Sequence, residues 1–195
     1  MRNPHATIRH IARRFQTNRD GAAAVEFALL LPLFLVIYLC VIEFTQAFMV
    51  QRRAHHSASM MADIVSQSGS VTRAQLADYF AVGGLIMAPY SSGPLEGRVT
   101  SIQRDSRNRD IVIWSYGSTL TPHTPGTQMT VPAGLLEKST DSVIYAETIY
   151  RYNSPFDIAV PGFSDFLSGV TTFHRVFYLR PREVASVTCT DCPVR

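Results

Sequence analysis

Residues 20–44 read DGAAAVEFALLLPLFLVIYLCVIEF, and the rest of the chain is organised around this stretch. From Phe27 to Ile42 sixteen residues pass without a charge, and Ala22 to Val25 lengthen the run on its N-terminal side. At a rise of ~1.5 Å per residue, Ala22 to Ile42 in a helix spans roughly 30 Å, the thickness of a hydrocarbon core. The segment can cross a bilayer. A cleaved secretory signal has an apolar region of only about 7 to 15 residues before a small-x-small site. Here the run is longer and is followed by Glu43, Phe44, Thr45 and Gln46, a poor cleavage context, so the segment is expected to stay as an anchor.

The flanks set its direction. Arg2, Arg9, Arg13, Arg14 and Arg19 precede the span against Asp20, and Arg52 and Arg53 follow it. Arg-rich short tails stay in the cytoplasm, which puts the N-terminus inside and the C-terminal domain outside. Residues 71–195 hold eleven Lys plus Arg and eleven Asp plus Glu, so the net charge of +3 comes from the first third of the chain. The basic excess is a topology signal and carries no indication of nucleic acid.

Glu26 and Glu43 bracket the apolar run, seventeen residues apart, or about 25 Å along a helix. Near a head-group layer a carboxylate costs less than the ~2.5 to 3.5 kcal/mol of a charge at the bilayer centre, and Glu43 is expected at the outer interface. Glu26 follows four apolar residues. Either it marks the inner boundary or it has a partner, and the span alone favours neither. Pro32 removes the helical bond to the carbonyl of Ala28, which predicts a kink there.

Beyond the span, Gln51 to Gln67 contains no proline or glycine, so the helix is expected to continue to Gln67 as a rod of roughly 70 Å. The pairs Met60, Ile64 and Met61, Val65 give its outer half a packing face. His55 and His56 are sequence neighbours and cannot share one helix face, which favours solvation over metal ligation. Thr72-x-x-Gln75 is a capping-box pattern opening a second helix from about Arg73 to Met87. Strands are expected at Arg98–Gln103 and Ile111–Tyr116, joined by the charged loop Arg104 to Asp110, and at Val143–Tyr152 and Thr172–Leu179. Pro122, Pro125, Gly126, Pro132, Pro155, Pro161 and Gly162 fall in the connections. The fold class is α+β: a long N-terminal transmembrane helix continuing into a small antiparallel-sheet domain, with Trp114 expected in the core or on a strand face.

No G-x-S-x-G, H-E-x-x-H, Walker-type loop or G-x-G-x-x-G occurs, so the common enzyme templates fail. Asp105 and Asp110 sit among Arg104, Arg107 and Arg109 and read as a solvated charged turn. Cys189 and Cys192 form a C-x-x-C near the end of the chain. In an oxidising compartment they form a local disulfide. Redox C-x-x-C pairs act instead from a helix N-terminus in a thioredoxin-like unit. Neither a cofactor nor a small-molecule substrate is indicated.

Read together, Asp20-Gly21-Ala22-Ala23-Ala24-Val25-Glu26-Phe27 resembles the start of the TadE-like proteins of tight-adherence (Flp, type IVb) pilus systems, a G-x-x-x-x-E-F element before an apolar helix. Ile42-Glu43-Phe44-Thr45-Gln46-Ala47 is similar to that family's next segment, with Thr45 and Gln46 where Gly and Arg are usual. Ala62–Gln67, Ile86–Tyr90, Val112–Ser115, Tyr178–Arg182 and the terminal Cys189 to Cys192 also look like blocks of one branch of the family.

The resemblance implies a pilin-like organisation: a basic cytoplasmic leader over 1–21, a transmembrane helix over 22–49, a helical extension over 50–70 and an exported α+β domain over 71–195. It implies that a prepilin peptidase cuts between Gly21 and Ala22, and that Glu26 pairs in the membrane with the terminal amine of a neighbouring subunit. Two opposite charges buried together lower each other's desolvation cost. The expected function is a minor pilin-like component assisting pilus assembly at the bacterial inner membrane, with a periplasmic domain and other assembly subunits as partners. The competing expectations are an unprocessed bitopic envelope protein whose outer domain binds another protein and, more distantly, a periplasmic thiol oxidoreductase.

Overall fold

A computed structural model of the chain describes residues 20–153 and 172–193. The leader arginines and the turn residues Pro155, Pro161 and Gly162 lie outside the described residues. Helix α1 (Asp20–Ser66) runs for 47 residues with Pro32 inside it. It ends where Ser66 and Ser68 turn their hydroxyls back onto the carbonyls of Asp63 and Ile64, at 2.8 and 3.1 Å, the back-bonding that serine offers at helix ends. The chain forms two compact units, Met1–Phe44 and Thr45–Arg195.

In the first unit every residue from Gly21 to Tyr38 is exposed. The helix is long and apolar enough there to cross a membrane. In the second unit α1 buries Ala47, Val50, Ala54, Ala58, Met61, Ala62 and Val65, spaced three or four apart as one helical stripe. Met61 and Val65 are thus in the core, whereas Met60 and Ile64 are half-buried. The small residues allow close approach: the hydroxyl of Thr148 donates to the carbonyl of Ala54 at 3.1 Å. A Cβ added at Gly83 would stand 2.9 Å from Ser57 Oγ, so glycine is what lets the second helix meet the first.

That second helix, α2 (Arg73–Leu85), opens with the expected capping box: Thr72 Oγ1 accepts from Gln75 N at 3.2 Å and Gln75 Oε1 from Thr72 N at 2.9 Å. It stops two residues short of Met87, where the amides of Met87 and Ala88 bond three residues back to Gly84 and Leu85. Two successive glycines weaken the last turn enough for this tightening.

The main sheet comprises β2 (Leu95–Arg104), β3 (Asp110–Gly117), β4 (Ser142–Arg151) and β5 (Thr172–Leu179), all neighbours antiparallel, in the order β3-β2-β4-β5. Their β-branched and aromatic content favours strands. Two short strands, β1 (Ser70–Val71) and β6 (Thr188–Cys189), pair in parallel as a separate ribbon. One face of the main sheet presents Val99, Trp114, Ile144 and Ala146 to Met61, Val65, Leu76 and Phe80 of the helices. The other carries Val143 and Tyr145 beneath Val131 and Leu136. The architecture is α+β, a long apolar N-terminal helix followed by a small antiparallel sheet.

Candidate functional site

Gly21, Ala22 and Glu26 occupy the first turns of α1, all exposed. Gly21 to Glu26 is five residues, or about 7.5 Å of helical rise. A Cβ at Gly21 would meet nothing within 4 Å. Within the described residues, then, packing does not require glycine there, and glycine in a helix costs about 0.8–1 kcal/mol relative to alanine. Glu43 is 2% exposed and heads the helical stripe that continues through Ala47 and Val50. Its Oε2 makes no hydrogen bond among the described residues. Gln46, which stands where arginine is usual, accepts the hydroxyl of Tyr90 at 2.5 Å.

The downstream sequence blocks turn out to be ties between distant elements. Arg182 donates its amide to Ser66 at 2.8 Å and its Nη2 to Asp63 at 2.5 Å, fastening the end of α1. Arg180 donates to the carbonyls of Leu135 and Gly134. Trp114 is fully buried and donates Nε1 to the carbonyl of Val187 at 2.7 Å. Residues of these blocks therefore hold the domain together, and among the described residues they do not converge on a catalytic constellation.

Cys189 and Cys192 are bonded to each other. Asp191 between them accepts the amide of Arg73 at 2.7 Å, which places a carboxylate at the N-terminus of α2, where it complements the helix dipole. The two sulfurs and the Asp191 carboxylate lie within 4.8 Å of one another and could together offer three metal-ligand atoms. With the sulfurs joined, the group acts as a staple tying the ribbon to α2. The cysteines sit in and just after β6 rather than on a helix N-terminus, unlike a thioredoxin-type pair.

One polar cluster was not foreseen. Glu147, 6% exposed on β4, accepts from Arg98 Nε at 3.0 Å, from Arg98 Nη2, and from His174 Nε2 at 2.5 Å. Burial pulls its pKa upward, but the hydrogen bonds and charges of Arg98 and His174 outweigh it and hold the carboxyl below the usual range. Alongside, Thr100 Oγ1 meets Ser115 Oγ at 2.8 Å and His123 Nδ1 at 3.0 Å. Burial, then the Arg98 charge, pushes the His123 pKa down. Burial, then Glu147, pushes the Tyr145 hydroxyl up. Thr100 is fully buried and Ser115 nearly so, so the hydroxyls have no open path to a substrate and serve to satisfy the sheet's outer face. Sequence spacing hides this cluster, because Arg98 and Glu147 lie 49 positions apart and meet through strand register.

The charged turn also differs in detail. Arg104 and Asp110 close the β2–β3 hairpin as a cross-strand pair, Nε–Oδ1 2.7 Å and Nη2–Oδ2 3.0 Å, with Asp110 largely buried. Only 105–109 forms the loop, where Arg109 pairs with Asp105 at 2.7 Å.

Compared with known proteins, residues 21–63 match the family model of TadE-like proteins. No curated protein and no solved structure matches the chain. The matched stretch takes in Gly21, Glu26 and most of α1 and stops at Asp63, so the sheet lies outside it. The similarity to TadE-like proteins is thus confined to residues 21–63.

Proposed function

We propose that the chain is a minor pilin-like component that assists assembly of a tight-adherence pilus at the bacterial inner membrane. Its N-terminus is cytoplasmic and its sheet domain periplasmic, and its role is structural rather than catalytic. The observation that carries this reading is the TadE-like match over 21–63, which contains Gly21 and Glu26 on a single uninterrupted helix. The exposed position of both residues supports it, as does a glycine that no described neighbour requires. A residue costly in its own helix and free of packing constraint is suited to being read by another protein, here a prepilin peptidase cutting before Ala22. Glu26 then becomes the fifth residue of the processed chain and pairs with a neighbour's terminal amine.

The test is pilus production by a Glu26→Ala strain. Removal of one carboxylate from an exposed helix position leaves the domain folded but takes away the partner of a buried amine. The variant is expected to be abundant, processed and defective in assembly. Normal pilus yield in that strain contradicts the proposal.

A further inference from the structure

Within the second unit, α1 and β5 border a groove of about 720 Å3. Its walls include Phe48, Met49, Arg52, Arg53, Ile86 and Arg175, and among the described residues no lining side chain is acidic. Strand register sets Arg175 opposite Thr148, the residue bonded to Ala54, so Arg175 lies on the sheet face that packs on α1. Arg53 is held in place: its Nη1 donates to the Ile86 carbonyl at 2.9 Å and its guanidinium stands 5.9 Å from the Tyr90 ring centroid. Its buried Nε makes no hydrogen bond among the described residues.

Among the described residues the charges here lack carboxylate partners. Arg98, Arg104, Arg109, Arg151 and Arg182 each pair with a carboxylate. Among the described residues neither Arg52 nor Arg175 has such a pair. His55 and His56 complete the polar wall, while Phe48 and Met49 remain 49% and 41% exposed beside it. In sequence these residues follow on the apolar run: Phe48 lies six and Arg52 ten positions after Ile42, about 9 and about 15 Å along a helix. Side chains on a helix lean toward its N-terminus, here back toward the membrane that the apolar run crosses. Guanidinium groups next to exposed apolar side chains on the membrane-ward side of the domain match an anionic head group joined to its acyl chains.

We propose that this groove holds the phosphate head group of an anionic phospholipid from the outer leaflet of the membrane that α1 crosses. The proposal rests on the membrane-anchored reading of α1 and is independent of peptidase processing. Arg53 is a fixed donor at the floor, and Arg52 and Arg175 supply the remaining positive charge.

The test is native mass spectrometry of the full chain in a neutral detergent, titrated with phosphatidylglycerol or with phosphatidylcholine. The wild type is expected to retain phosphatidylglycerol preferentially, with excess inorganic phosphate unable to displace it. Combined Arg52→Gln and Arg175→Gln should weaken phosphatidylglycerol about thirtyfold, the loss expected for two basic groups at an anionic lipid surface, without changing phosphatidylcholine. Combined Arg73→Gln and Arg107→Gln, equal in charge loss but outside the groove, should change neither. Equal retention of both lipids, displacement by phosphate, or an unaltered affinity in the groove variant overturns the site. Glu26→Ala should keep the lipid preference, so a failure of the pilin-like reading leaves this result standing and is told apart from it.

Discussion

The two parts of α1 use their apolar residues in opposite ways. From Val25 to Val41 the large apolar side chains other than half-buried Leu39 are exposed, Leu29 at 74% and Phe34 at 54%. From Ala47 to Val65 the buried residues are mostly small and face the sheet, while Arg52, His55 and His56 are exposed along the groove. Large apolar residues all round a helix call for an apolar solvent, and a narrow stripe of Ala, Ser and Val calls for a neighbouring backbone. A single helix thus changes its environment near Phe44, and side-chain size along the sequence records where.

The comparison can be broken most forcefully with aromatic deletions. Trp114→Ala removes a fully buried ring and its bond to Val187, and should cost about 3–5 kcal/mol. Phe34→Ala removes a similar ring from an exposed site and should leave the domain's stability unchanged. Thermal unfolding of detergent-solubilised chain, followed by near-ultraviolet circular dichroism, compares the two. An equal loss from both would mean that the apolar run packs on the domain.

A smaller effect concerns the charges of the sheet. Glu147 titrates lower folded than unfolded, so its contribution is present above the unfolded carboxylate range near pH 4.3 and is lost as pH falls through the folded value. His123, also depressed, erodes stability on acidification from about pH 6.5 downward. Glu147→Gln should cost about 1.5–3 kcal/mol at neutral pH and flatten the acid limb below about pH 5. An unaltered pH profile would show that Arg98 and His174 do not depend on this carboxylate.

The smallest effect sharpens the comparison within α1 itself. Ala54→Leu puts bulk where Thr148 bonds the helix backbone and should cost about 1–3 kcal/mol through overpacking. Leu33→Ala, at a position 55% exposed, should change unfolding by less than about 0.5 kcal/mol. Chemical denaturation of both variants in the same detergent measures the contrast.

Local patterns were legible in the sequence and long-range ones were not. The capping box at Thr72 and Gln75 follows from its spacing and the four main strands from turn residues and β-branched and aromatic content, with ends within about three residues. Pairing partners lengthen the strands: Leu95 is drawn into β2 because β4 extends to meet it at Tyr150. The ribbon of β1 and β6 is two residues per strand and has no periodicity to read. The Ala and Ser stripe escaped notice because small residues score as neutral. The Arg98, Glu147 and His174 cluster and the arginine groove exist only once strands from distant positions are set side by side. Of the candidate site, Gly21, Glu26 and the cysteine pair were visible as motifs, since each is compact in sequence.

The central claim, that the helix from Ala22 onward is a processed pilin-like spine, is tested most directly by N-terminal sequencing of the wild-type chain extracted from membranes. A sequence beginning at Ala22, with Gly21→Glu leaving the longer form in place, is the predicted result. A membrane-extracted chain that still carries the residues before Gly21 in pilus-producing cells contradicts it.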